Sequence, residues 1–116
     1  MKAAQLLAEH DELWALACYH FHQAAEKSLK GFLIHTGQKV PRVHDLQELV
    51  GRCAEQDPGF SAYEDNAVYL NPFYIEARYP MLSPLKLSEK RVKEAGLAAR
   101  RIVSFVIERL YSDKGR

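Results

Sequence analysis

Three groups of residues in this 116-residue chain have types and spacings that could do chemistry: a histidine pair, a short run of alternating charge, and one arginine among aromatics. His20 and His22 invite a metal reading, but positions two apart on a helix face nearly opposite sides and cannot share one ion. His22 and Glu26 stand one turn apart, yet two ligands on one helix make no site unless others converge, so no metal site is expected. Glu26 and Lys30 form an i,i+4 pair in the favourable order, worth a few tenths of a kcal/mol on a solvated face. The third group is Asn71-Pro72-Phe73-Tyr74-Ile75-Glu76-Ala77-Arg78-Tyr79-Pro80. There a guanidinium can grip phosphate bidentately while Tyr74 and Tyr79 offer ring faces or hydroxyls. It can equally offset the negative end of a helix, with the tyrosines closing the core edge. Cys18 and Cys53 lack zinc-type or CxxC spacing and read as buried, reduced thiols. A Gly-rich phosphate loop, a GxSxG elbow and an HExxH pair are all missing from the sequence, so no familiar local motif supports catalysis.

Helices must position these groups. Trp14, Cys18, Phe21, Ala25, Leu29 and Phe32 recur at spacings of three and four, which predicts a helix over 12–36, capped by Asp11 and ended by Gly37. Asp45, with Glu48 in capping-box register, opens a second with Leu46, Leu49, Val50 and Cys53 inward. Asp57-Pro58-Gly59 is a turn, after which Ser61 and Glu64 repeat the capping-box pattern ahead of Ala67 and Leu70. Asn71-Pro72 kinks this helix or starts another, and Pro80 stops it. Ser88 caps a last helix whose inward face runs through Val92, Ala95, Ala99, Ile102 or Val103, Val106 and Leu110. Nothing alternates with period two for long enough to make a strand. The expectation is an all-α domain over 1–116, an antiparallel up-and-down four-helix bundle, with an extra short helix over 2–10 able to pack across it.

Apolar residues make up 47% of the chain and charged ones 27%, which suits one globular core and excludes a disordered composition. No apolar run approaches the roughly 18 residues a membrane span needs, and the start lacks a signal-peptide core, so the cytoplasm is the expected compartment. Net charge is only +1, but the halves differ: residues 1–85 carry seven Lys/Arg against eleven Asp/Glu, and residues 86–116 carry nine against four. A basic terminal helix suits phosphate contact, or docks on the acidic remainder.

Three blocks in order, Gln23-Ala24-Ala25-Glu26-Lys27-Ser28-Leu29-Lys30, Val43-His44-Asp45-Leu46 and Ala77-Arg78-Tyr79-Pro80, resemble the signature blocks of prokaryotic HEPN domains. The resemblance covers roughly residues 14–110. It implies a helical bundle related to the substrate-binding domains of nucleotidyltransferases, often paired with a minimal nucleotidyltransferase in a toxin–antitoxin-like arrangement. It also implies a homodimer with the site at the two-fold interface. Catalytic members of the family are metal-independent ribonucleases that use an Arg followed four to six residues later by a His. This chain departs from them: its last histidine is His44, and Arg42 lies only two positions before it.

The resemblance therefore implies fold and partner class more strongly than activity. Arg78, Tyr79 and His44, supported by Lys27 and Lys30, are the candidate nucleotide- or phosphate-binding residues, with no catalytic residue, metal or cofactor assigned. The expected role is an accessory subunit that binds nucleotide or RNA phosphate and docks a minimal nucleotidyltransferase. One alternative is an RNase toxin in which His44 reaches the cleft in place of the missing His. Another is a structural homodimer in which Ala95-Gly96-Leu97-Ala98-Ala99 allows close helix contact.

Overall fold

The structure is a computed structural model in which residues 13–74 and 87–114 are described. The expected 2–10 helix, the Asp11 cap, Arg78, Tyr79 and the Pro80 stop lie outside the described residues. Four α-helices and one 3₁₀ segment follow in order, and no strand occurs among the described residues. The all-α expectation holds. None of the described helices is long and apolar enough to cross a membrane.

Helix α1 spans Trp14–His35 and buries Ala17, Cys18, Phe21, Ala25, Leu29, Phe32 and Leu33; Ala17 and Leu33 join the anticipated stripe, and Trp14 is only partly buried. Gly37 ends it in the left-handed region at φ 78°. Its N–H bonds the Ile34 carbonyl at 3.0 Å and the Gln38 N–H bonds the Leu33 carbonyl at 2.8 Å. This is the two-bond Schellman closure, which favours glycine because a Cβ is disfavoured at positive φ.

Helix α2 spans Leu46–Gln56 and buries Leu46, Leu49, Val50 and Cys53. Its cap is half of the expected box. Asp45 accepts from the Gln47 and Glu48 N–H groups, while the Glu48 carboxylate turns to Arg52 at 3.2 Å. The next expectation is corrected. A 3₁₀ segment over Pro58–Tyr63 precedes helix α3, Glu64–Leu70, and its cap is Asp57 rather than Ser61. Asp57 accepts from the Gly59 N–H at 3.0 Å, and Pro58 suits the first helical position because its missing N–H would go unbonded there. Asn71 is a turn, and residues 72–74 resume helical geometry.

Helix α4, Glu89–Lys114, starts where the Ser88 hydroxyl accepts from the Arg91 N–H at 3.2 Å. Ile102, not Val103, faces inward, joined by Val92, Ala95, Ala98, Ala99, Phe105 and Val106. Gly96 is where α4 meets α1: a Cβ there would stand 3.0 Å from the Phe21 ring. The small-residue run is thus spent inside the molecule, which removes its proposed use as a contact between copies.

Helix directions do not simply alternate. Along α1, His22 and Glu26 meet His44, Leu29 meets Cys53, and Phe32 meets Phe60, so α1 and α2 ascend together. Phe21 meets Gly96, while Gly31 and Ile34 share a groove with Ile107 and Leu110, so α4 shares their sense. Only α3 runs back, with Tyr63 on Phe105 and Tyr69 on Arg91 and Glu94. The cause is the segment between α1 and α2, residues 36–45. Ten residues can extend about 33 Å, twice the rise of the half of α1 they descend beside.

Candidate functional site

That descending segment sets His44 down beside the middle of α1. The Glu26 carboxylate, only 6% exposed, is the hub. Oε1 accepts from His44 Nδ1 at 3.0 Å and Oε2 from Lys30 Nζ at 3.2 Å. Two partners offset the cost of burying a charge that would otherwise be strongly unfavourable. Among the described residues Lys30 commits one of its three N–H donors, to Glu26.

His22, fully buried one turn below Glu26, braces the same loop. Its Nε2–H donates to the His44 backbone carbonyl at 3.0 Å, and its Nδ1 faces the Gln23 amide at 3.4 Å. These bonds fit the neutral ring, and burial pushes the His22 pKa below its ordinary value, with Glu26 and the His44 carbonyl acting in the opposite sense. Its Nδ1 lies 3.8 Å from Glu26, too far for a hydrogen bond.

With Nδ1–H committed to Glu26, the neutral His44 ring carries its lone pair on Nε2. The side chain is 47% exposed. One face of the ring is covered by Tyr74, whose centroid is 4.4 Å away at an interplanar angle of 16°. Tyr19 stacks on Tyr74 at 6.3 Å, and His22 lies 5.4 Å from it. Asn71 ties this wall to α2: its Oδ1 accepts from the Leu46 N–H at 2.7 Å and its Nδ2 donates to Asp45 at 2.8 Å. His44, Asp45, Asn71 and Tyr74 line an open cleft of about 310 Å³.

Of the residues named from sequence, His44 and Lys30 are brought together, through Glu26. Lys27 is exposed and, one residue past Glu26, points about 100° away from it, so it stands outside the network. Arg78 and Tyr79, four and five residues beyond Tyr74, lie outside the described residues. Sequence reasoning gives His22 and Glu26 only a surface or metal role and misses them as the braces of His44. The i,i+4 spacing of His22, Glu26 and Lys30 is the available signal. Asn71 reads in the sequence only as a turn residue, because its partners are 25 and 26 positions away.

Both cysteines are buried, and neither is in a disulfide. Burial pushes the Cys53 thiol up to about 12, and its sulfur donates to the Leu29 carbonyl at 3.5 Å, which leaves it unreactive.

Searches of curated proteins and of solved structures each returned no match. The family model described as the HEPN domain matches residues 1–110, a span that holds all of α1, α2 and α3 together with the cleft. A match over nearly the whole length, on a helical bundle, means that this chain belongs to the HEPN-domain family.

Proposed function

We propose that this HEPN-domain protein is a nucleotide- or RNA-phosphate-binding accessory subunit, a homodimer that works with a minimal nucleotidyltransferase in a toxin–antitoxin-like pair in the cytoplasm. The observation that carries the reading is that groups from three separate stretches of chain are tied together at the cleft residue His44 and its neighbours. Lys30 and Glu26 come from α1, His44 and Asp45 from the loop end, and Asn71 and Tyr74 from the turn after α3. In this reading Arg78, four residues beyond Tyr74 in the sequence, supplies a guanidinium suited to phosphate, aided by Tyr79.

A second reading, a metal-independent ribonuclease, is favoured by one feature: the Glu26-held His44 presents Nε2 as a base, as a proton-abstracting histidine would. It lacks the Arg-to-His spacing of the catalytic members. One experiment separates the two readings. The purified protein is assayed for RNA cleavage in EDTA and, in parallel, for complex formation with a nucleotidyltransferase encoded beside it. Complex formation without cleavage is expected. Rapid EDTA-resistant cleavage, abolished in a folded His44→Ala variant, would replace the accessory reading with the ribonuclease.

A further inference from the structure

The acidic side of the cleft does not suit phosphate, and its chemistry points to a different part of a nucleotide. Asp45 accepts three hydrogen bonds, from the Gln47 N–H at 2.9 Å, the Glu48 N–H at 3.3 Å and Asn71 Nδ2 at 2.8 Å. All three fall on Oδ1. Among the described residues Oδ2 keeps its lone pairs, on an exposed side chain that lines the cleft. Asn71, held at both ends of its amide, fixes that carboxylate in place. Beside it, Tyr74 backs one face of His44, while the imidazole is anchored edge-on by Glu26 and remains half exposed. A rigid ring pair next to a fixed carboxylate oxygen is a stacking platform with an acceptor at its rim.

We propose that this cleft is a nucleobase subsite selective for guanine. A carboxylate oxygen rejects phosphate and rewards a ligand that presents N–H donors. Guanine alone among the common bases sets two adjacent donors, N1–H and the N2 amine, on one edge. The ring would lie on the exposed side of the His44–Tyr74 pair, where stacking is indifferent to base identity, so Asp45 supplies the selectivity. A volume of about 310 Å³ is at the small end of ligand sites and is enough for a base. The phosphate would extend out of the cleft toward Lys30. The assignment rests on the nucleotide reading above but concerns a separate part of the ligand.

Calorimetric titration of the full chain with guanosine, inosine, adenosine, guanosine 5′-monophosphate and inorganic phosphate tests it. Guanosine should bind more than roughly tenfold more tightly than adenosine, because one charge-assisted bond already gives about that factor and guanosine gains two, with inosine between because it lacks the N2 amine. Asp45→Asn is the informative variant. Asparagine caps a helix about as well as aspartate, so its oxygen can keep the Oδ1 bonds while a donor replaces Oδ2. Its melting temperature should hold, and the preference for guanosine should vanish. Equal affinity for the three nucleosides, or a preference that survives in a folded Asp45→Asn, would overturn the proposal. Should that variant not fold, the order of guanosine, inosine and adenosine on the native chain decides. Phosphate binding without nucleoside binding also overturns the guanine subsite while sparing the phosphate reading; guanosine binding without any gain from the 5′-phosphate does the reverse.

Discussion

His22 shows how a single residue can hold a functional loop without meeting a ligand. Burial lowers its pKa and favours the neutral ring, whose Nε2–H donates to the backbone of His44, so the placing of the His44 side chain depends on a donor at this position. The folded-state pKa is lowered, so as the pH falls the unfolded chain takes the proton first. The contribution of His22 to stability is therefore complete above its ordinary value of 6.5 and lost as the pH falls through the lower folded value. Glu26, the His44 ring and Asp45 are the titratable neighbours. His22→Gln can keep a donor toward the His44 carbonyl but cannot take up a proton. Urea midpoints at about pH 7.5 and 5 should fall further in the native protein than in the variant; parallel losses would mean that His22 does not govern this range. His22 also marks a limit of sequence reading. Its i,i+4 relation to Glu26 was legible, but that both residues serve His44, 18 and 22 positions away, depends on where a ten-residue loop lands.

Two helical glycines set opposite expectations at the scale of the element. Gly51 lies exposed within α2 with no atom within 4 Å of where an alanine methyl would sit, so Gly51→Ala should stabilise by about 0.5 to 1 kcal/mol by stiffening the unfolded chain and favouring helix. Gly96 lies against the buried Phe21 ring, where a Cβ would approach within 3.0 Å. Gly96→Ala should therefore cost about 1 to 2 kcal/mol through overpacking, despite the same gain in helix propensity. Thermal melts of the pair check this directly, and a stabilised Gly96→Ala would show that α1 and α4 separate freely. Helix existence and inward faces were legible because apolar spacing reports them. The 3₁₀ segment was not, because Asp57 and Ser61 carry equally good capping chemistry. The contest is decided in three dimensions, where Asp57 also pairs with Arg109 at 3.1 Å and Arg109 lies over Phe105.

For the molecule as a whole, the core leaves Ile34, Ile107 and Tyr111 exposed around a groove of about 530 Å³ at the far end of α1 and α4. Uncovered apolar surface of this kind favours association. Light scattering at micromolar concentration should give twice the 13.3 kDa of the chain, and a strict monomer would count against the homodimer. The direction of the helices was the part of the architecture least visible in the sequence, since turn residues announce that a chain reverses but not how far it travels before the next helix starts. That direction has an electrical consequence. Three of the four described helices point their amino ends toward the pole that holds the cleft, and only short α3 opposes them. Each aligned helix contributes roughly half a positive charge at its start and half a negative one at its finish. At the start of α2 that half charge is met by the chain itself, through the Asp45 carboxylate that accepts from the first free N–H groups of the helix.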